Sequence, residues 1–336
     1  MHIHVIGAGA MGSLYGGLLA RCGCEVTLVD WWQAHMDAVA ANGGLRLSGI
    51  TGDAVIALRA VHVPEGGEAA IGGDGSGDMA IIFADANSTA KAARASKRLL
   101  KPDGYALTLQ NGIGNIEALA AELGSGRVVG GLSYHSAAMV EPGHAVHTHR
   151  GPTWLGELQG EKESERLATL SALLSAAGFE PTIVGDIMGQ IWTKFIHNCA
   201  INPISAVTDL RVGEISRVAE ADALQTKIIE EALAVVAAKG IQLVDDDPMA
   251  SIKKFCLAKF NKPSMQQHME GGRRTEIDAL NGALVREGEA LGIATPYNRA
   301  ITWMVKAREA ERMQNLHGAP IDYAALEKEI KAGGAA

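Results

Sequence analysis

The sequence predicts an α/β domain built on a parallel β-sheet, followed by an all-α domain. Two observations carry this prediction. The first half of the 336 residues alternates strand-like and helix-like segments, whereas only helical spacing remains beyond Gly185. Parallel strands need crossover helices, so such alternation favours a parallel sheet covered on both faces. We therefore predict one domain over residues 1–185 and a second over residues 186–336.

The first thirty residues carry the most specific motif of this half. A β-prone segment runs into Gly7-Ala8-Gly9-Ala10-Met11-Gly12, a helix-compatible segment follows, and a second strand ends at Asp30. This order of strand, G-x-G-x-x-G, helix, strand and acid is the Rossmann-type fingerprint of dinucleotide binding. The helix N-terminus offers N–H groups and a positive dipole to the phosphates. The predicted cofactor contacts in the loop are Gly7, Gly9, Ala10, Met11 and Gly12.

Two acids bear on which dinucleotide binds. Asp30 ends the second strand, and Asp85 follows the strand predicted over residues 79–83. A carboxylate at the position of Asp30 accepts hydrogen bonds from the ribose hydroxyls of NAD and repels the 2′-phosphate of NADP. A site that binds NADP usually has an arginine nearby instead. No Lys or Arg occurs between Trp31 and His35. We therefore expect NAD as the cofactor, in preference to NADP.

The remaining elements follow the same two patterns. Further strands are predicted over residues 44–47, 55–63, 105–109, 128–134, 146–148, 153–155 and 182–184, and helices over 88–99, 114–123 and 161–177. In the second half, helices are predicted over 217–239, from 245 onward, over 273–291 and over 299–313. Glycines at 178 and 240 act as helix stop signals.

A polar row runs through an otherwise apolar helix at the start of the second domain. Lys194, Asn198 and Asn202 recur every fourth residue. Positions four apart on a helix lie about 40° apart around the axis, so the three side chains share one face. Burying a charge and two amides without partners would cost several kcal/mol. The row therefore faces a ligand or, alternatively, a matching polar network.

Local sequence gives Asn111 both a functional and a structural interpretation, and it gives Ser264 and Glu276 a structural one. Asn111 follows the strand over 105–109, where loops at carboxyl strand ends form the ligand crevice, but Asn-Gly is also a common turn. Ser264 with Gln267 fits a helix capping box, and Glu276 fits a helix-start charge.

Composition excludes several classes of function. A net charge of −8 argues against nucleic acid as a partner, and no stretch reaches the roughly 18 apolar residues of a membrane helix. The four cysteines fit no disulfide framework, and the eleven histidines show no recognisable metal-ligand spacing. A cleavable signal peptide would remove the glycine loop. We expect a cytoplasmic protein without metal, nucleic acid or membrane partners.

Taken together, these segments resemble the ketopantoate reductase (2-dehydropantoate 2-reductase) family. The family pattern contains G-x-G-x-x-G, then Q-N-G, then K-x-x-x-N-x-x-x-N-P, then S-M followed by E-I-D. The chain has these in order as Gly7–Gly12, Gln110–Gly112, Lys194–Pro203, and Ser264-Met265 with Glu276–Asp278. The resemblance implies an NAD(P)-dependent oxidoreductase, a Rossmann domain followed by a helical one, and a small carboxylic acid substrate. We also expect a homodimer.

The resemblance also implies residue roles. Lys194 would protonate the carbonyl oxygen of the substrate, and Glu276 would be the second catalytic residue. Asn198, Asn202 and Ser264 would bind the substrate, and Asn111 would contact both substrate and cofactor. The chain departs from the family pattern in two respects. Members that use NADP typically carry basic residues where this chain has Asp30 and Asp85, and His268 follows Gln266-Gln267 in a stretch where an acid is common.

The interpretation leaves alternatives open. The first choice is reduction of 2-dehydropantoate to pantoate. The acid pair and the Gln267-His268 stretch also fit an NAD-dependent dehydrogenase that oxidises another 2- or 3-hydroxy acid, and a β-hydroxyacid dehydrogenase shares the architecture and a catalytic lysine. A non-catalytic NAD-sensing protein would need the glycine loop but not Lys194 and Glu276.

Overall fold

The computed structural model describes residues 1–64, 75–158 and 164–333, which form two β-sheets and a set of helices. The strands are β1 (His2–Ile6), β2 (Glu25–Asp30), β3 (Leu45–Gly49), β4 (Ala54–Ile56), β5 (Arg59–His62), β6 (Gly77–Ile82), β7 (Leu100–Thr108), β8 (Val128–Ser133), β9 (Ser136–Glu141), β10 (His144–His149), β11 (Thr153–Glu157) and β12 (Pro181–Ile183).

The helices alternate with strands only in the first half. They are α1 (Ala10–Arg21), α2 (Gln33–Ala41), α3 (Thr89–Leu99), α4 (Asn115–Leu123), α5 (Glu165–Ala176), α6 (Ile187–Thr208), α7 (Val212–Ile215), α8 (Ala219–Lys239), α9 (Pro248–Ala258), α10 (Ser264–Glu270), α11 (Asn281–Leu291), α12 (Pro296–His317) and α13 (Tyr323–Gly333). Among the described residues after β12, every regular element is helical. The predicted fold class is therefore confirmed.

The main sheet positions the candidate site. Its eight strands have the order β12-β11-β8-β7-β6-β1-β2-β5. All neighbours are parallel except β11, which runs antiparallel to β8. A parallel sheet is buried on both faces, and the central strands accordingly carry apolar side chains such as Ile3, Val5 and Ile81 that are fully buried. The carboxyl ends of β2, β1, β6, β7 and β8 therefore lie along one edge.

The described chain divides into two compact units. The first unit comprises Met1–His197 with Leu233–Pro248, and the second comprises Asn198–Ala232 with Met249–Ala336. Helices α6 and α8 each continue from one unit into the other. In the second unit, Ile204, Ile228 and Leu284 are fully buried. The domain boundary at 185/186 stays a prediction.

One predicted strand proved to be two, and a second sheet was not anticipated. Residues 55–63 were expected to form one strand, but β4 pairs with β3 in a four-stranded sheet of order β4-β3-β10-β9, whereas β5 pairs with β2 in the main sheet. β9 was also missed. A run of β-prone residues has the same local pattern whether it stays in one sheet or changes sheets, so only pairing with distant strands distinguishes them.

Two expectations for the second half were also wrong. The helix predicted over 273–291 begins only at Asn281, because Leu280 has non-helical angles (φ −102°, ψ −108°) and the Thr275 N–H bonds instead to Glu309 Oε1. Ser264 lies inside α10, whose N-cap is Pro263 without a side-chain cap, so the capping box is not formed.

The first residues of the helix predicted over 161–177 lie outside the described residues. Within the described ranges, no helix combines the length and apolar character needed to cross a bilayer.

Candidate active site

The glycine loop joins β1 to α1 and has the geometry that dinucleotide binding requires. Gly7 has a φ of +91°, and a Cβ there would collide with the backbone of Ala84. A Cβ at Gly12 would collide with the carbonyl group of Gly7. At the exposed Gly9, a Cβ would meet nothing within 4 Å. The chain itself requires the first and third glycines, whereas the open side of Gly9 fits the close approach of a phosphate.

The start of α1 suits an anion. Its N-cap is Gly9, which has no side chain to cap the helix, and its first turn carries no acidic residue. The first-turn N–H groups of a helix have no partner within the helix, and the dipole is positive at this end. Ala10 and Met11 are half-buried in this turn. These residues therefore fit the pyrophosphate of the dinucleotide.

Asp30 lies at the end of β2 and is already bonded to the loop. Its Oδ2 accepts the N–H of Ala8 at 2.5 Å, and its Oδ1 accepts the N–H of Trp32 at 2.7 Å. A carboxylate has about four acceptor positions, so these two bonds are compatible with further bonds from ribose hydroxyls. The carboxylate thus holds the glycine loop in addition to its predicted role in cofactor choice.

The segments after β6 and β7 are connected to each other. Gln110 Nε2 donates to the carbonyl of Ala84 at 2.7 Å and to Thr89 Oγ1 at 2.9 Å. The carbonyl of Asn111 accepts a bond from Asn115 Nδ2 at 3.0 Å. Asp85 is exposed, directly after Ala84, and Asn111 is half-buried. The bonds from Gln110 therefore connect the stretch carrying Asn111 to the stretch carrying Asp85.

Lys194 lies on the first half of α6 and reaches the end of β8. Its Nζ donates to the carbonyl of Ser133 at 2.9 Å and lies 4.7 Å from the centroid of the Tyr134 ring. Tyr134 in turn packs edge-on against Trp154, with ring centroids 5.1 Å apart. A carbonyl oxygen and an aromatic face both stabilise an ammonium. These contacts hold the charged form of the lysine beside the sheet edge.

A buried polar cluster lies behind Ser133. The Tyr15 hydroxyl donates to Ser133 Oγ at 2.9 Å and lies 3.0 Å from Thr153 Oγ1, while burial raises the pKa of Tyr15 to about 12 against the opposing effect of these two bonds. His135 Nδ1 lies 3.1 Å from His147 Nε2. Burial and the neighbouring His147 lower the pKa of His135 to about 4, and burial also lowers the pKa of His147. In the described part of the chain, no three His, Cys, Asp or Glu side chains group as a metal site.

The strand order brings together the site residues predicted in the first unit. Asp30, the glycine loop, Asp85 and Asn111 follow β2, β1, β6 and β7, and Lys194 contacts the last residue of β8. These five strands are adjacent in the sheet. In open α/β sheets, ligands bind outside the carboxyl ends of the strands. The first unit thus presents the residues predicted to bind the dinucleotide, together with a lysine, along one edge.

The remaining predicted residues belong to the second unit. Asn198 is half-buried and Asn202 is buried on α6. Ser264 is exposed at the first residue of α10, and Glu276 is half-buried just before a short 3-10 turn over Ile277–Ala279. The backbone carbonyl of Glu276 accepts the N–H groups of residues 279 and 280. Their roles toward a substrate stay predictions.

Sequence reasoning missed three contributors to the site. Ser133 and Tyr134 contact Lys194, and Ser13 donates from its Oγ to the carbonyl of Ala8 at 2.8 Å. The position of Ser133 and Tyr134 at the end of a predicted strand was the available signal, since ligand crevices form there. No spacing rule indicates Ser13, because its role depends on the turn of the glycine loop.

Comparison with known proteins identifies the family. The sequence profile described as "Ketopantoate reductase PanE/ApbA" matches residues 3–160, and the profile "Ketopantoate reductase PanE/ApbA C terminal" matches residues 186–309. A protein of Pyrococcus horikoshii named 2-dehydropantoate 2-reductase is 32% identical over 311 residues, which covers 92% of this chain and 98% of the relative. One of the same name from Archaeoglobus fulgidus is 31% identical, with the same coverage.

Solved structures agree with these matches. A PanE/ApbA family ketopantoate reductase from Ralstonia eutropha JMP134 is 33% identical and superposes with a TM-score of 0.82, covering 93% of this chain and 99% of the other. D-mandelate dehydrogenase, solved with NADH and anilino(oxo)acetate, is 28% identical with a TM-score of 0.83 and the same coverage. The chain therefore belongs to the ketopantoate reductase family of NAD(P)-dependent oxidoreductases.

Proposed function

We propose that this protein reduces 2-dehydropantoate to pantoate with NADH, and that Lys194 is the general acid. The observation that carries the proposal is the position of Lys194 at the same sheet edge as the glycine loop, held by Ser133 and Tyr134. The profile matches and the relatives named 2-dehydropantoate 2-reductase support the choice of substrate.

The chemistry divides between the cofactor and the lysine. A bound reduced nicotinamide supplies the hydride that converts the carbonyl carbon of the substrate to a carbinol carbon. The carbonyl oxygen gains negative charge as the hydride arrives, and the Lys194 ammonium stabilises this charge and then gives the oxygen a proton from Nζ. An ammonium has three N–H donors, so the bond to Ser133 and a bond to the substrate are compatible.

A separate set of groups would hold the carboxylate of the substrate. We assign this role to Asn198, Asn202 and Ser264, which can donate neutral hydrogen bonds, and we assign to Asn111 a contact with both substrate and cofactor. Glu276 would act with Lys194 in proton transfer. Holding the substrate at two points fixes the reactive carbon, and fixed orientation can lower a barrier by several kcal/mol.

NADH is the expected cofactor because of Asp30. In the described chain its carboxylate is bonded to the backbone at Ala8 and Trp32, so it cannot swing away from a 2′-phosphate without breaking these bonds. Two unit charges about 4 Å apart repel by about 1 kcal/mol even in water, and a phosphate carries nearly two charges. Discrimination against NADPH of about tenfold or more should result. Asp85 would add to it.

The decisive experiment is a substrate and cofactor screen. The purified protein is mixed with 2-dehydropantoate and with a panel of other 2-oxo and 3-oxo acids, each with NADH or NADPH, and the absorbance of the reduced cofactor is followed. The proposal expects the highest kcat/KM for 2-dehydropantoate with NADH. Turnover of another oxo acid alone would refute the substrate but keep the mechanism. Turnover only of ketones without a carboxylate would refute the two-point binding.

A second candidate is oxidation of another 2-hydroxy acid with NAD, such as one that carries an aromatic group. Two observations favour it: the Tyr134 ring, which packs against Trp154, lies beside Lys194, and D-mandelate dehydrogenase is a structural relative solved with NADH. Aromatic side chains stack favourably on aromatic substrates. The same screen, run in the oxidative direction with mandelate and pantoate, separates the two candidates.

We also propose a homodimer located in the cytoplasm. Large exposed apolar side chains on α12 support the dimer, with Trp303 at 64% and Met304 at 54% exposure. Aromatic and methionine side chains are enriched at protein interfaces. Light scattering of the wild type and of Trp303→Glu tests the dimer. A monomeric wild type would refute it.

A further inference from the structure

His35 is a buried histidine that the proposed chemistry does not use. It lies in the first turn of α2, is fully buried, and has partners on both ring nitrogens. Its Nδ1 accepts the N–H of Gly143 at 2.8 Å. A backbone N–H can only donate, so Nδ1 carries no proton and the proton of the neutral ring is on Nε2. Burial lowers the pKa of His35, against the opposing effects of Asp30 and of a backbone bond to Ala8.

The other nitrogen leads to the glycine loop. Nε2 lies 3.1 Å from Ser13 Oγ, and Ser13 Oγ donates to the carbonyl of Ala8 at 2.8 Å. Since the serine proton is used for Ala8, the serine oxygen accepts the proton of Nε2. Ser13 is also fully buried. His35 and Ser13 thus converge on Ala8: the serine hydroxyl donates to its carbonyl, and His35 is bonded both to Ser13 and to the Ala8 backbone.

The fixed carbonyl determines where the next N–H points. A trans peptide is planar, and its C=O and N–H groups point in opposite directions. Because the Ala8 carbonyl is directed at Ser13, the N–H of Gly9 points away from it. The N–H of Ala8 itself is held by Asp30. Both peptide groups that flank the Cα of Ala8 are therefore oriented, and Gly9 has open space beside it.

We propose that His35, together with Ser13, is a positioning residue for the cofactor: the two side chains orient the Ala8–Gly9 peptide so that the Gly9 N–H donates to the pyrophosphate. The inference rests on the dinucleotide function of the site and adds a residue outside the fingerprint to it. A backbone N–H bonded to a phosphate is a charge-assisted bond, so its misalignment should weaken NADH binding by about 10- to 100-fold.

The hydrogen bonds made by the two ring nitrogens of His35 can be tested separately by substitution. The amide of glutamine can take the place of Nε2 and keep the bond to Ser13, whereas the amide of asparagine can take the place of Nδ1 and keep the bond to Gly143. Gly143 lies in the turn between β9 and β10, so the second bond supports that hairpin. Only the bond of Nε2 to Ser13 should control the affinity for the cofactor.

The experiment compares His35→Gln, His35→Asn and Ser13→Ala by titrating each protein with NADH in the absence of any acid substrate, following fluorescence. Ser96→Ala is a matched control, because Ser96 is a fully buried serine that donates to a helix carbonyl at 2.8 Å, in α3. We expect His35→Asn and Ser13→Ala to raise the Kd by about 10- to 100-fold, and His35→Gln and Ser96→Ala to stay within about threefold of the wild type. In His35→Asn and Ser13→Ala, the KM for NADH should also rise, whereas kcat at saturating NADH should stay unchanged.

Thermal unfolding of each variant separates positioning from folding. Equal losses of affinity in His35→Gln and His35→Asn, or wild-type affinity in Ser13→Ala, would overturn the inference. If the loss of NADH affinity is proportional to the loss of Tm across all four variants, His35 acts only through packing, and the inference is overturned as well. If His35→Asn does not fold, Ser13→Ala still decides. A wild type that binds neither NADH nor NADPH would instead refute the dinucleotide function itself.

Discussion

Replacing Lys194 by Met tests the proposed mechanism most directly. Methionine keeps an unbranched side chain of similar length and removes the ammonium. The variant loses the bond to the Ser133 carbonyl and the contact with the Tyr134 ring. A general acid contributes about 10²–10⁴-fold, so kcat should fall by that factor, which corresponds to about 2.7–5.4 kcal/mol of barrier.

The same variant should keep its affinity for the cofactor. Lys194 contacts the end of β8, whereas the glycine loop follows β1, and β7 and β6 lie between them. Neighbouring strands are about 4.8 Å apart, so three strand spacings separate the two places by about 14 Å. Contacts at the pyrophosphate should not change over that distance, and the Kd for NADH should stay within about threefold.

Steady-state turnover of 2-dehydropantoate and fluorescence titration with NADH measure the two quantities. Tyr134→Leu is the companion variant, because it removes the aromatic contact but leaves the proton donor. It should lose only about 2- to 30-fold in kcat, since an interaction of this kind contributes about 0.5–2 kcal/mol. A loss below tenfold in Lys194→Met would give the lysine a structural role only. A collapse of NADH affinity would show that it supports the fold of the cofactor site.

Three further predictions concern the cofactor loop and the buried histidines. Asp30→Arg should shift the ratio of kcat/KM for NADH and NADPH toward NADPH, and an unchanged ratio would contradict the role of the carboxylate. Gly9→Ala should bind NADH more weakly while keeping its Tm, whereas Gly7→Ala should lower the Tm, because its φ is +91° and a Cβ there collides with Ala84. The pKa of His135 is lowered to about 4 in the folded chain, so its contribution to the free energy of unfolding is present above its ordinary pKa of 6.5 and is lost as pH falls from 6.5 to 4. Urea denaturation across this range should show a smaller loss of stability in His135→Gln than in the wild type.

Local spacing was sufficient for part of the site. The order of strand, G-x-G-x-x-G, helix, strand and Asp30 predicts the loop that the structure contains, because each glycine role depends on residues within one βαβ unit. The row of Lys194, Asn198 and Asn202 likewise predicts a helix, which the structure has as α6. The change from alternating elements to helices alone predicts the fold class for the same reason, since periodicity is a local property.

The partners of these residues depend on contacts between distant parts of the chain, which no local pattern specifies. Lys194 meets Ser133, which is 61 residues away, because α6 packs against β8, where Ile187 lies beside Gly130. His35 is bonded to Gly143 across 108 residues, and this contact exists because β9 and β10 form a second sheet with β3 and β4. The local sequence around His35 has no signature that marks this histidine as buried. Its burial, its tautomer and its connection through Ser13 to Ala8 are decided by tertiary packing, because a hydrogen bond between distant residues forms only where the fold brings a donor and an acceptor together.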